Sequence, residues 1–361
     1  MWAKLAALGV EEEALKSAAA EGPNAIRLLV ARYMTFPGAR RYTPREVYAK
    51  SGVDEETARS LWRAMGFPVV PEDEPAFTDA DIQAVRLATE LFERADMDRT
   101  IVLQQARSMG QAAARIAASH QDVLAELVVD DDPTREAEEA LTLAEEALPA
   151  LDHLLVYMYR RHLAAATEQR LLITPSEEGG VDMSVGFADL SGFTAISQEL
   201  DVRELAELID RFNAATTDVV AQAGGRIIKT IGDEVMFATH EPGAAVEIAL
   251  SLIDEASEAN GLPPLKVGVA TGAVIAREGD IFGPPVNLAN RLVTTARPES
   301  ALVDEPTKGA LSDDARFQFT PLGKRTLKGI GAVHPFRVRS AESTSSRPAA
   351  RRRPAARRRS G

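Results

Sequence analysis

The 361-residue chain contains no cysteine, which excludes a disulfide framework, a thiolate-ligated zinc and a cysteine nucleophile. It also lacks any apolar run of the roughly 18 residues needed to span a bilayer. The opening MWAKLAALGVEEEALK meets three glutamates early and has no basic flank, sustained apolar core or cleavage signal of a secretory peptide. Positive charge is outweighed, 41 Lys and Arg against 54 Asp and Glu, and the net charge of −13 argues against general nucleic-acid affinity. The expectation is a soluble cytoplasmic protein of about two domains.

Cations are concentrated at the end. Residues 341–361 hold seven arginines against one glutamate and no aliphatic side chain larger than alanine. Such a tail has nothing to bury and reads as a disordered appendage.

Residues 1–172 are rich in alanine, leucine and glutamate and read as an all-helical domain. Ala25 to Tyr33 is a short amphipathic candidate. In 42–92, Thr43-Pro44 starts a helix, Gly52 stops it and Asp54 caps the next. Gly66-Phe67-Pro68 ends that helix. Thr78 to Asp81 then caps one carrying Ile82, Val85, Leu87, Leu91 and Phe92. This segment resembles the DNA-reading domain of MerR-type regulators. A DNA reader, however, needs cations to neutralise phosphates, and residues 40–110 carry ten Lys/Arg against thirteen Asp/Glu. A helix-turn-helix-like fold used for packing or sensing is therefore favoured.

Two long helical patterns follow, 99–129 and 134–172, parted by Asp130-Asp131-Asp132-Pro133. Leu141, Leu148, Leu151, Leu155, Met158 and Leu163 form an apolar stripe for partner helices. His120, His153 and His162 lie on these helices, of a residue type that titrates near neutral pH. Residues 173–182 combine proline, glutamate and glycine and read as a linker.

The most informative stretch is Val185 to Thr194, VGFADLSGFT. A short apolar strand ends in Asp189, and a tight turn and helix start follow. A carboxylate there can hold Mg²⁺, while the open N–H groups of Gly192, Phe193 and Thr194 face phosphate oxygens. Taken alone, Asp189 reads better as a helix cap than as a metal ligand. A second aspartate, Asp233 in KTIGDEVM, sits in the turn of a hairpin from Arg226 to Phe237, and alone it reads as turn chemistry. Together, two carboxylates at one sheet edge are costly unless cations separate them, which points to a two-metal site. The coarse order is strand 183–190, helices 193–200 and 202–223, strands 225–231 and 233–238, helix 242–259 and strand 265–271. It suggests a split βαβ arrangement of the ferredoxin-like α+β sandwich type over residues 183–340.

FADLSGFT, KTIGDEVM and GDIFGPPVNLANR, the last from Gly279 to Arg291, are similar in order and spacing to the three signatures of class III nucleotidyl cyclases. With a helical N-terminal half, the chain most resembles the soluble, pH-responsive adenylate cyclases of actinobacteria. The resemblance implies conversion of ATP to 3′,5′-cyclic AMP and pyrophosphate. It implies two Mg²⁺ ions, with Mn²⁺ as a substitute, on Asp189, Asp233 and the carbonyl of Leu190. Lys229 and Asp280 would read adenine, Asn287 would orient the ribose and Arg291 would stabilise the transition state. Lys328, or less directly Lys324, would bind the triphosphate. Guanylate cyclases usually show an acidic residue and a cysteine at the purine positions, and this chain has no cysteine. Pro284-Pro285 and Asn290 depart from the family's usual residues.

Lys229 and Asp233 lie about 13 Å apart if the hairpin is extended. The family resolves this with a head-to-tail homodimer containing two shared sites. Residues 1–172 would regulate it, with protons or a lipid as candidate signals. Two other readings remain open: a catalytically inactive cyclase-like interaction module, and a DNA-binding regulator with an attached cyclase.

Overall fold

A computed structural model describes residues 2–7, 9–127, 133–172, 180–256 and 260–341. The chain divides into two compact units, Met1–Leu171 and Leu172–Gly361. No helix among the described residues is long and apolar enough to cross a membrane.

The first unit is helical: α1 (Trp2–Ala7), α2 (Glu12–Glu21), α3 (Pro23–Thr35), α4 (Pro44–Ser51), α5 (Glu55–Ala64), α6 (Asp79–Arg94), α7 (Arg99–Leu127) and α8 (Pro133–Leu172). Local chemistry sets the boundaries of α4 to α6. The Thr43 hydroxyl accepts from the Glu46 N–H while the Glu46 carboxylate accepts from the Thr43 N–H, a reciprocal cap with Pro44 in the first turn. Gly52 ends α4 in the left-handed region at φ 76°, and the Asp54 carboxylate accepts from the Thr57 N–H at the start of α5. At the start of α6 the Asp81 carboxylate accepts from the Thr78 N–H at 2.7 Å and from the Thr78 hydroxyl at 2.9 Å. Val47, Val53, Ala58, Phe77, Ile82 and Val85 form the core of this segment.

The apolar faces are covered unevenly within the chain. On α6, Ile82 and Val85 are buried whereas Leu87 and Leu91 are exposed at 68% and 59%; the side chain of Phe92 lies outside the described residues. On α8, Leu141 is buried but Met158 and Leu163 are exposed. His153 and His162 are also exposed. Glu55 and Glu56, in the first turn of α5, are paired with Arg59 and Arg99. The Asp130–Asp132 break, linker residues 173–179 and the tail from 342 onward lie outside the described residues.

The second unit is built on a mixed sheet. Its elements are β1 (Val181–Leu190), α9 (Phe193–Glu199), α10 (Val202–Gln222), β2 (Arg226–Ile231), β3 (Glu234–Thr239), α11 (Pro242–Glu255), β4 (Leu265–Arg277), β5 (Asp280–Phe282), α12 (Pro284–Thr295), β6 (Ser300–Val303), α13 (Glu305–Ala310), β7 (Phe317–Pro321), β8 (Arg325–Leu327), β9 (Gly331–Val333) and β10 (Phe336–Ser340). The strand order is β2-β3-β1-β4-β6-β10-β7, with β5 paired to the end of β4 and β8-β9 forming a separate hairpin. β1 is central, flanked by antiparallel β3 and β4.

Alternation along the strands gives the sheet two apolar faces. One, with Ala188, Leu190, Val235, Phe237, Val267 and Val269, packs with Leu208, Phe212 and Val220 of α10 and Val246, Ile248 and Leu252 of α11. The other, with Val185, Phe187, Met236 and Ala270, packs with Ala289, Leu292 and Val293 of α12. This is the expected α+β sandwich, carried on a wider sheet.

Three boundaries differ from the sequence expectation. α11 stops at Glu255, where the Asn260 side chain donates to the Glu255 carbonyl at 2.9 Å, rather than running to 259. β1 begins at Val181, inside the expected linker, because Val181 pairs with Val274. β4 runs to Arg277 rather than 271 because its far end turns back on β5 through Glu278 and Gly279, both at positive φ.

Candidate active site

Asp189 and Glu234 lie on the α12 face of the sheet. Phe187 and Met236 face α12, so Asp189, two residues on from Phe187, and its cross-strand partner Glu234 face the same way. Asp233 occupies the turn between β2 and β3, and its carbonyl accepts from the Leu190 N–H at 3.3 Å. That bond ties the end of β1 to the hairpin turn and brings the two aspartates together.

Their carboxylates interact directly. Burial pushes the Asp233 carboxyl above its ordinary value, and the neighbouring Asp189 pushes it further. Glu234 is pushed up to about 6 by burial first and then by both aspartates. A side chain that sequence reading missed balances this negative charge. Lys266 lies opposite Asp189 in the β1–β4 register, with its Nζ 2.5 Å from Asp189 Oδ2. Glu234 also accepts from Nδ2 of Asn290 on α12 at 3.3 Å. Asn290 thus joins the carboxylate cluster to α12. Neither Lys266 nor Asn290 has a local sequence signal for this role, since register and helix packing create both contacts.

Among the described residues, no group of three or more histidine, cysteine, aspartate or glutamate side chains is arranged to hold a metal. The metal donor set is the half-buried Asp189–Asp233 pair, at the end of β1 beside the β2–β3 turn, needing positive charge between or beside the two carboxylates. Next to them the Ser191 hydroxyl is buried without a hydrogen-bond partner. Gly192, at φ 79°, opens α9 and brings Phe193 and Thr194 into its first turn. The residues fit divalent cations whose remaining ligands come from a polyphosphate and water.

Lys229 and Asp280 are also brought together. The two-residue turn at Glu278-Gly279 places Asp280 opposite Arg277, and β5 reaches β2. Lys229 Nζ donates to Asp280 Oδ2 at 2.5 Å, while Asp280 Oδ1 accepts from the Ile281 N–H. The pair therefore presents a donor and an acceptor from a single chain.

Asn287 and Arg291 lie four apart on α12 and are both exposed. Among the described residues, neither side chain takes part in a hydrogen bond or ion pair. Arg291 is turned about 100° around the helix from Asn290. Of these three α12 residues, Asn290 is the one whose side chain engages the carboxylate cluster. Lys324 and Lys328 flank β8 and are exposed, and the fold does not bring either into contact with the aspartate pair.

Residues 177–340 match the adenylate and guanylate cyclase catalytic domain, and residues 2–166 match the adenylate cyclase regulatory domain. The chain belongs to the adenylate cyclase family. It is 37% identical to an adenylate cyclase of Streptomyces coelicolor, covering 88% of this chain and 90% of that protein. It is 38% identical to one of Streptomyces griseus, covering 90% and 91%. A pH-sensitive adenylate cyclase of Mycobacterium tuberculosis is 31% identical, covering 90% and 84%. The cyclase domain thus occupies the second unit, and the first unit corresponds to the family's regulatory domain.

Proposed function

We propose that this protein converts ATP to 3′,5′-cyclic AMP and pyrophosphate at two equivalent sites in a homodimer. The observation that carries the reading is the assembly of Asp189 with Asp233, and of Lys229 with Asp280, on one face of the sheet. Two Mg²⁺ ions held by Asp189, Asp233 and the Leu190 carbonyl would supply Lewis acidity to the ribose 3′-hydroxyl and the leaving pyrophosphate.

The remaining steps belong to the chain's own residues. Lys229 donates to adenine N1 and Asp280 accepts from the N6 amine. Guanine presents a donor at N1 and an acceptor at O6, so it opposes both groups. Asn287 orients the ribose. Arg291 directs its guanidinium at the charge that develops on the phosphorus, a role suited to its planar fork. Backbone N–H groups of Gly192, Phe193 and Thr194 take phosphate oxygens, together with Lys328. Because Asn287 and Arg291 are exposed and their side chains have no hydrogen-bond or ion-pair partner among the described residues, they are available to a substrate held by a second chain's metal aspartates.

Product identification tests the reading. Wild-type protein with Mg²⁺ or Mn²⁺ should form cyclic AMP from ATP and little cyclic GMP from GTP. Lys229→Ala and Asp280→Ala should each lower the ATP-over-GTP ratio of kcat/KM by about tenfold or more. Absence of cyclic AMP under every condition would leave the inactive-module reading in place.

Regulation by the first unit belongs to the same proposal, with proton concentration as the signal. Support comes from the regulatory-domain match and from the pH-sensitive relative. Full-length protein and a fragment spanning 173–361 should show different pH–activity profiles. Identical profiles would remove the first unit as the sensor.

A further inference from the structure

The metal aspartates already have a cation of their own. Lys266 is the second residue of β4, directly opposite Asp189, and its ammonium contacts Asp189 Oδ2 at 2.5 Å. The two side chains retain only 21% and 23% of their exposure, against 73% and 81% for the surface pair Lys16–Glu12. A half-withdrawn pair is screened far less by solvent and salt than a surface pair. Three acidic groups face this lysine: Asp189 by contact, and Asp233 and Glu234 through their mutual electrostatics with it.

Packing alone does not account for a lysine here. Its face of β4 continues into Gly268 and Ala270, which are buried against α12. An ion pair in such a place costs desolvation that an apolar pair would avoid. An ammonium is a point charge on a flexible stem, whereas a guanidinium would grip the carboxylate with two parallel bonds. Lys266 is therefore suited to occupy the site and then to release it.

We propose that Lys266 is a built-in counter-ion of the Asp189–Asp233 pair that a divalent cation must displace. The site thereby stays closed to free metal until a polyphosphate brings compensating negative charge. The inference rests on reading Asp189 and Asp233 as the metal pair. A fixed positive charge beside a cation site repels the incoming ion, so its removal should strengthen metal binding in the absence of nucleotide. A lysine that served only to position Asp189 would have the opposite effect.

The test is Mn²⁺ titration of the full-length chain at pH 8 without nucleotide, with free Mn²⁺ read by electron paramagnetic resonance. Wild type, Lys266→Met, Lys266→Gln and Lys266→Arg are compared, each with and without Asp233→Asn, after circular dichroism confirms folding. Lys266→Met and Lys266→Gln should bind Mn²⁺ about tenfold or more tighter than wild type. Lys266→Arg should stay weak, and Asp233→Asn should erase the gain. If Lys266→Met and Lys266→Gln bind no tighter than wild type while Asp233→Asn still weakens binding, the counter-ion role is overturned and the metal pair stands. If Asp233→Asn changes Mn²⁺ binding in no background, the metal-pair reading fails and takes this inference with it.

Discussion

Asp189→Ala and Arg291→Ala should each lower kcat by roughly a thousandfold, yet an equal mixture of the two inactive proteins should recover about a quarter of wild-type activity. The first substitution removes half of the carboxylate pair. The second removes an exposed guanidinium without a partner among the described residues. In a heterodimer with shared sites, one site inherits both lesions and the other inherits neither. Half of randomly mixed dimers are heterodimers, each with one working site out of two, which gives the quarter. Size-exclusion chromatography with differently tagged chains would show that heterodimers form. Heterodimers that form and remain inactive would sink the shared-site arrangement. A mixture restoring more than half would also contradict it.

Gly268→Ala should cost about 3 kcal/mol of stability and reduce kcat by about a hundredfold in the protein that still folds. The reason is a close approach of backbones. A Cβ at position 268 would lie 2.3 Å from the Val293 nitrogen and 2.4 Å from the Ala289 oxygen. Neither atom belongs to a flexible side chain, so the adjustment must come from α12 as a whole. That helix carries Asn287, Asn290 and Arg291, and moving it shifts the proposed transition-state groups and breaks the Asn290–Glu234 contact. Gly309→Ala is the control: no atom lies within 4 Å of its Cβ position, and its place in α13 favours alanine. Urea denaturation of both variants, read beside their activity, separates the effects. A Gly268→Ala protein as stable and active as wild type would show that α12 can withdraw without consequence.

Local structure in this chain is legible wherever a boundary is set by one residue and its near neighbours. Thr43 with Pro44 and Glu46, Gly52, Asp54 and the Thr78–Asp81 box stop and start helices through hydrogen bonds spanning three residues, and each stands where the pattern placed it. The central strand and the Gly232-Asp233 hairpin turn were readable for the same reason. Apolar periodicity was a weaker guide. It marked Leu87 and Leu91 as part of a helix and Met158 and Leu163 as part of a stripe for partner helices. All four are exposed within the chain, because periodicity shows that a face is apolar and not what covers it.

The sequence by itself determined the family and the two-part division of its matches, regulatory before catalytic. It also determined the identity of the candidate chemical groups, since three signature stretches carry them on short local spacings. The tertiary structure decided what those groups touch. VGFADLSGFT names Asp189, but only the register of β1 against β4 sets Lys266 opposite it. Only the packing of α12 on Gly268 turns Asn290 toward Glu234 and leaves Asn287 and Arg291 exposed. Cross-strand neighbours come from distant parts of the chain, and no local spacing encodes them. The charge balance around the two aspartates is a property of the folded sheet.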